Sequence, residues 1–162
     1  MTSRFFAAPS ALCLAGMMLS TATPAAAEDK SVESRLDKAG LQYDMDEDGD
    51  YRVVFDYTSE GRTQLAFVAG RTETVGGVAI RELFAPAAMV EKHGVDGAKA
   101  LDLLKASARA KVGSWEIRGD FVYFVVKVND EMTAAEMRVL LNTAASTADD
   151  LEIELTGGQD EL

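Results

Sequence analysis

After about residue 30, apolar and polar positions along the chain change period several times, and each period predicts a different element. From Ser31 to Ala39 apolar residues recur at helical spacing, and Gly40 is well placed to end that helix. Between residues 41 and 84 the pattern alternates instead, which is typical of strands with one face turned toward a core. This alternation predicts four strands, over residues 41–43, 51–57, 63–69 and 78–84.

Two helices and two further strands are predicted for the second half of the chain. Asp96 is a candidate N-cap for a helix that continues to about Lys111, because apolar residues recur there at helical spacing. Two alternating segments then predict strands over residues 114–118 and 121–128. A capping box begins at Thr133, and it predicts the start of a long C-terminal helix.

The predicted order of elements is therefore α-β-β-β-β-α-β-β-α. Short turns between most of the strands favour antiparallel pairing, which leaves the helices to pack on one face of the sheet. We predict a single α+β domain over residues 28–156, followed by a flexible tail over residues 157–162. Pro86 is expected to end the fourth strand or to lie at a sheet edge, because proline has no N–H to donate.

The first 27 residues have the pattern of a secretory signal peptide. Arg4 gives a positive start, an apolar stretch follows, and small residues end at Ala27 in an A-x-A cleavage pattern. The apolar stretch is shorter than the roughly 20 residues that a membrane span requires. We therefore expect cleavage after Ala27, a periplasmic or secreted protein, and no membrane insertion of the mature chain.

Composition narrows the chemistry that is available to the mature chain. Cys13 is the only cysteine, and its removal with the signal peptide would exclude disulfides and thiol chemistry. The whole chain has a formal net charge of −11, and loss of residues 1–27 would remove one basic residue, Arg4, and no acidic one. Such an acidic chain is not expected to bind nucleic acid, since phosphates favour clusters of Lys and Arg.

Four aspartates alternate with other residues in one short stretch of the chain. They are Asp44, Asp46, Asp48 and Asp50. With Gly49 they resemble the first half of an EF-hand loop, but Phe55 stands at position twelve, where such a loop requires Glu. Asp48 and Gly49 also form a favoured hairpin dipeptide. We predict a hairpin turn, and the alternative is a weak calcium site in a calcium-responsive envelope protein.

No residue pattern in the chain predicts catalysis or a bound cofactor. His93 is the only histidine, and it is expected to be a solvated loop residue because no Ser or Cys motif accompanies it. The glycines match no nucleotide-binding fingerprint, and no pair of carboxylates stands out as an acid–base couple. We therefore predict neither an enzyme, nor a cofactor, nor a resident metal ion.

Four segments in order carry a family resemblance. They are residues 36–43 with the Asp-Gly turn after them, Leu-Phe-Ala-Pro at 83–86, residues 103–117, and residues 148–155. They resemble the YbjN-type domain family of bacterial proteins, sometimes labelled sensory transduction regulators. The resemblance implies an α+β fold similar to that of type III secretion chaperones, which are dimeric and bind extended segments of client proteins. It implies a protein or peptide partner, or a homodimer, and no enzyme or cofactor.

The sheet supplies the candidate binding surface. Three helices can hardly cover both faces of six strands, so one face is expected to present aromatic side chains to a partner. The candidate protein-binding residues are Trp115, Ile117, Phe121, Tyr123 and Val125. The alternative is that these side chains pack under the long helix. Binding is expected through this face or through a strand edge.

Overall fold

A computed structural model of the chain describes residues 30–59 and 61–162, and the elements follow the predicted order. The helices are α1 (Lys30–Ala39), α2 (Gly97–Ser107) and α3 (Ala134–Thr156). The strands are β1 (Tyr43–Met45), β2 (Tyr51–Tyr57), β3 (Arg62–Val75), β4 (Val78–Met89), β5 (Ser114–Arg118) and β6 (Phe121–Asn129). The predicted α+β class is confirmed.

The six strands form one antiparallel sheet in the order β1-β2-β3-β4-β6-β5, so that β1 and β5 are its edges. Helix α3 lies across the central strands β3, β4 and β6, and α1 packs against α3. Helix α2 lies beside β5. The strand residues that are fully buried alternate with less buried ones, as expected for a sheet that is covered on one face.

Small residues let α3 approach the sheet closely. Ala144 and Ala148 on the helix, and Ala66 and Ala85 on the strands, are all fully buried. Larger side chains complete the same core. They include Leu36, Val53, Val68, Leu83, Val122, Phe124, Val126, Met137 and Leu141. This covered face is therefore a continuous hydrophobic core, and the opposite face is the place to look for function.

Local capping signals fix the starts of the two later helices. Thr133 Oγ1 accepts a hydrogen bond from the Glu136 backbone N–H at 3.2 Å, which confirms the predicted capping box. Asp96 caps α2 by accepting from the Lys99 backbone N–H at 2.9 Å. Helix α2 ends at Ser107, earlier than the predicted Lys111, and the Ser107 hydroxyl then accepts from the Trp115 backbone N–H at 2.9 Å. That bond joins the end of α2 to the start of β5.

The prediction that Pro86 would end the fourth strand or lie at an edge is wrong. Strand β4 is central and continues to Met89, with a register shift against β6 between Pro86 and Ala88. The irregular pairing accommodates a residue that cannot donate to the ladder. The Pro86 carbonyl is also used, because it accepts from Gln64 Nε2 at 2.8 Å.

The predicted signal peptide, residues 1–27, lies outside the described residues. Within residues 30–59 and 61–162, none of the helices combines the length and the hydropathy that a membrane crossing needs.

Candidate functional site

A group of aromatic side chains lies on the face of the sheet opposite the core. Phe67 and Phe84, on neighbouring strands, stack with ring centroids 5.1 Å apart and an interplanar angle of 8°. Tyr123 meets Phe84 edge-on at 5.8 Å, and Phe121 lies 6.1 Å from Tyr123. We call these four residues the aromatic row. Each is half-buried, and each alternates along its strand with residues of the core.

The aromatic row forms part of a groove with a volume of about 380 Å³. We call it the open-face groove. Besides the row, its lining comprises Asp46, Asp48, Asp50, Leu65, Pro86, Arg118 and Leu162. The groove thus combines an apolar floor with acidic groups on one side and one guanidinium group. Such a mixture is typical of a surface that meets another polypeptide.

Four charged side chains form a network beside the aromatic row. Arg118 pairs with Glu82 at 2.8 Å and with Glu116 at 2.7 Å, while Lys127 pairs with the same two carboxylates at 3.3 and 2.8 Å. The guanidinium carbon of Arg118 lies 5.8 Å from the centroid of the Phe84 ring, a cation–π distance. Burial favours a higher pKa for Glu116, but hydrogen bonds from Lys127 and Arg118 outweigh it and lower that pKa. The network is balanced in charge and holds Arg118 against the aromatic row.

The aspartate stretch forms the predicted hairpin turn between β1 and β2, which pair in antiparallel register. Asp46 Oδ1 accepts from the backbone N–H groups of Asp48 at 3.0 Å and Asp50 at 2.9 Å. Gly49 adopts φ of 84°, a conformation that glycine tolerates. Its carbonyl leaves no room for a side chain at Gly70, since a Cβ there would lie 1.9 Å from that oxygen. The turn is therefore locked onto β3 by a close backbone approach.

Three of these four aspartates, Asp44, Asp46 and Asp50, use their carboxylates within the protein. Asp44 forms an ion pair with Arg52, and Asp50 Oδ1 accepts from the Gly70 backbone N–H at 2.9 Å. Burial raises the pKa of Asp50, and the neighbouring Asp46 and Asp48 raise it further against the opposing effect of that hydrogen bond. In the part of the chain that the structure describes, no group of three or more acidic, histidine or cysteine side chains is arranged to hold a metal ion.

The last residues of the chain, predicted as a flexible tail, contact the domain at several points. The Gly158 carbonyl accepts from Arg62 at 3.1 Å. Asp160 accepts from the Thr63 backbone N–H at 3.2 Å and from the Thr63 hydroxyl at 3.1 Å. These contacts lie at the start of β3 and bring Leu162 into the lining of the open-face groove.

The prediction of a solvated His93 is wrong, because its side chain is 5% exposed. Its Nδ1 accepts from the Met89 backbone N–H at 3.0 Å, so the proton of the neutral ring lies on Nε2. Nε2 lies 2.8 Å from a carboxylate oxygen of Glu161, which Lys92 also approaches to 2.7 Å. Hydrogen bonds from Lys92 and His93 lower the pKa of Glu161. His93 therefore helps to hold the C-terminal segment.

The structure separates the five predicted binding residues. Phe121 and Tyr123 lie in the open-face groove, and Val125 is on the same face but only 1% exposed. Trp115 pairs across from Phe124 on the helix-covered face, where their rings meet edge-on at 5.1 Å. Ile117 is on that covered side too and is 50% exposed.

Sequence reasoning missed six residues of the groove, namely Leu65, Phe67, Phe84, Pro86, Arg118 and Leu162. Phe67 and Phe84 stand at the positions of β3 and β4 that alternate with core residues, and that alternation is the signal that could have found them. Leu162 gave no such signal, because its position depends on contacts between residues far apart in the chain.

Comparison with known proteins gave one kind of match. No family model and no curated protein matches the chain. Among solved structures, the chain is similar to the crystal structure of YbjN from E. coli, described as a candidate transcription regulator. That likeness has a TM-score of 0.47 and 9% sequence identity, and covers 79% of this chain and 90% of that chain.

Proposed function

We propose that this chain is an exported, non-enzymatic module of a regulatory or chaperone-like kind, which binds a polypeptide partner on the open face of its sheet. One observation carries the proposal: the aromatic row is contiguous, half-buried and on the face opposite the core. Contiguous apolar surface of this kind marks interaction sites, and aromatic residues and arginine are enriched in them.

The rim of the groove also suits a binding role. Arg118, Glu82, Glu116 and Lys127 form a charged border whose members are already paired with one another. A partner that covers the neighbouring aromatic rings would not have to bury an unpaired charge at this border. The aromatic rings can therefore contribute most of the binding free energy, as hot-spot residues do.

The non-enzymatic part of the proposal is supported by how the polar groups of the groove are used. Asp46 and Asp50 accept backbone hydrogen bonds, and Arg118 is held between two carboxylates. A general base or nucleophile needs to reach a substrate with its reactive atom free to exchange a proton. Asp46, Asp50 and Arg118 are engaged in this way and do not offer it. The calcium-responsive alternative gains no support either, because Asp44 is paired with Arg52.

Photo-crosslinking in cells tests the proposed surface. A benzophenone amino acid replaces Tyr123 in one variant and Ile117, which is exposed on the opposite side of the sheet, in a matched control. We expect a specific crosslinked product from position 123 that is absent from position 117 and is lost when Phe84→Ser is added. Identical products from both positions, or none from either, would overturn the proposal. A product that contains only this chain would identify the partner as a second copy.

The export part is tested separately. N-terminal sequencing of the protein recovered from the cell envelope or the medium should begin at Glu28, since cleavage is expected after Ala27. Recovery from the cytoplasm with Met1 in place would contradict export while leaving the binding surface untouched.

A further inference from the structure

One side chain in the lining of the open-face groove comes from outside the sheet and its turns. Leu162 lines the groove together with Leu65, Pro86 and Tyr123. The open face therefore accommodates an aliphatic side chain from another segment, and Leu162 covers part of that face in the free chain.

The contacts that hold this segment are mostly polar and lie outside the groove. Asp160 bonds Thr63 where both groups are exposed, and such contacts stabilise only weakly. Glu161 is anchored more firmly, by its carboxylate on His93 and by its backbone N–H on the buried Glu152. A competing polypeptide therefore has to displace Leu162, which follows this anchor, and not the whole segment.

The competing polypeptide segment is expected to differ in charge from the C-terminal segment of this chain. The groove is bordered by Asp46, Asp48 and Asp50, and the pKa of Asp50 is raised by burial and, to a smaller extent, by the negative charges of Asp46 and Asp48. The C-terminal segment adds Asp160 and Glu161 and supplies no cation to the groove. Arg118, the guanidinium in the lining, is balanced by its own carboxylates. A segment with Lys or Arg would provide the countercharge that the chain's own C-terminus lacks.

The length of the groove defines the length of the segment. Leu162 lines the groove together with Leu65 of β3, whereas the aspartate turn contacts β3 at Gly70 through Asp50. Five residues of strand separate Leu65 from Gly70, a distance of roughly 17 Å. An extended peptide with about five residues between its aliphatic and its last basic side chain therefore reaches from the position of Leu162 to the aspartates.

We propose that the groove binds an extended polypeptide segment that places an aliphatic side chain where Leu162 now lies and basic side chains beside Asp46, Asp48 and Asp50. The segment displaces the side chain of Leu162. This inference rests on the proposed function and specifies the chemistry of the partner.

Fluorescence anisotropy with synthetic peptides tests it on the full chain. The probe is a labelled peptide, Gly-Leu-Gly-Ser-Arg-Gly-Arg, and the controls replace both Arg by Glu or the Leu by Ser. The variants are Leu162→Ser, which removes an aliphatic side chain from the groove lining, and Asp48→Asn, which removes an exposed carboxylate. Glu73→Gln, on the exposed hairpin arm between β3 and β4, is the matched control for lost charge.

We expect the Arg peptide to bind at least roughly threefold more tightly than either control peptide. Leu162→Ser should increase its affinity, while Asp48→Asn should decrease it at low salt and have little effect at high salt. Glu73→Gln should match the unaltered chain. Equal binding of the Glu peptide, or no effect of Leu162→Ser, would overturn the inference. If Leu162→Ser instead makes the chain dimerise, the occupant is a second copy and the inference also fails.

These outcomes are separable from failure of the proposed function. Crosslinking from position 123 that persists while the Arg peptide does not bind would leave the binding surface in place and reject only the partner chemistry. Loss of both signals would reject the surface itself.

Discussion

Two buried arginines, Arg81 on β4 and Arg62 on β3, are neutralised by different numbers of carboxylates. Arg81 and Arg35 meet at one carboxylate, that of Asp130. Arg62, in contrast, lies between two carboxylates, those of Asp149 and Glu152. Both Arg81 and Arg62 are almost inaccessible, with 1% and 6% exposure. The two clusters contain the same kinds of groups, and they differ in the ratio of cations to anions.

The cluster with excess cation joins elements that are distant in sequence. Arg81 Nε and its second amino group donate to the two oxygens of Asp130 at 2.5 and 2.9 Å, a bidentate arrangement. Arg35 reaches the same carboxylate at 2.7 Å from α1. Burial favours a higher pKa for Asp130, but the hydrogen bonds from both arginines outweigh burial and lower that pKa.

The cluster with excess anion holds the end of α3. Arg62 donates to Asp149 at 2.8 Å and to Glu152 at 2.8 Å, and Glu152 also accepts from the Glu161 backbone N–H at 2.7 Å. Burial raises the pKa of Glu152, and the Glu161 N–H and Arg62 do not offset it. The comparison teaches that burying an Arg–carboxylate pair does not fix the sign of its response to pH. The ratio of the charges does.

The largest effect is expected from Asp130→Asn, which leaves two buried guanidinium groups without this countercharge. We expect the free energy of unfolding at pH 7 to fall by about 3 to 5 kcal/mol. Urea denaturation measures it, with the exposed Asp56→Asn as the control. Arginine does not give up its proton in proteins, so the loss should persist at pH 5. A loss of less than about 1 kcal/mol would show that the ion pairs of Asp130 with Arg81 and Arg35 contribute little to the stability of the fold.

Arg62→Met is expected to be nearly as damaging at pH 7 and to recover in acid. The substitution strands Asp149 and Glu152 in the interior, and we expect a loss of about 3 kcal/mol in the free energy of unfolding. Unlike a stranded arginine, the Glu152 carboxylate, whose pKa burial already raises, can take up a proton, so part of the loss should be regained on acidification from pH 7 to pH 5. The same urea series at both pH values provides the measurement. A loss that does not depend on pH would remove the distinction between the clusters.

Much of the fold could be predicted because its signals are local. The capping box at Thr133 and the N-cap at Asp96 act within one turn of their own helices, and strand alternation is visible within a few residues. The continuation of β4 through Pro86 could not be predicted, because the shift in register that accommodates the proline depends on the partner strand β6. The buried Arg81 and Arg62 look like surface residues in sequence for the same reason: their partners lie on other elements.

Prediction of the candidate site was limited for the same reason. Alternation in β6 correctly placed Phe121 and Tyr123 on one face. Alternation within β5 could not predict whether Trp115 lies on the same face as Phe121 or on the same face as Phe124, because that depends on the register in which β5 pairs with β6. The observed pairing of Trp115 with Phe124 puts it on the covered face. The role of Leu162 in the groove could not be read from any period, since it depends on how the chain folds back onto β3.

The smallest effect, and the most direct test of the sign of the comparison, is expected from Glu152→Gln. The folded-state pKa of Glu152 is raised, so its protonated form stabilises the fold. That contribution is fully present below the ordinary pKa of glutamate, about 4.3, and is lost as pH rises through the higher folded value. Asp130 has the opposite sign: its lowered pKa contributes stability above the ordinary value for aspartate, and this is lost as pH falls.

Glutamine keeps the size of Glu152 and removes its titration. We therefore expect Glu152→Gln to lower the free energy of unfolding at pH 7 by only about 1 to 2 kcal/mol, because the amide NH2 cannot accept one of the two hydrogen bonds that Glu152 accepts, while one excess buried charge disappears. The variant should also lose the stabilisation that the unaltered cluster gains between pH 7 and pH 5. Urea denaturation across this range measures both quantities. Equal losses of stability for Glu152→Gln and Asp130→Asn would contradict the comparison. Removing one of the two carboxylates that pair with Arg62 would then cost as much as removing the one carboxylate that Arg81 and Arg35 share, and the ratio of charges would not determine the effect.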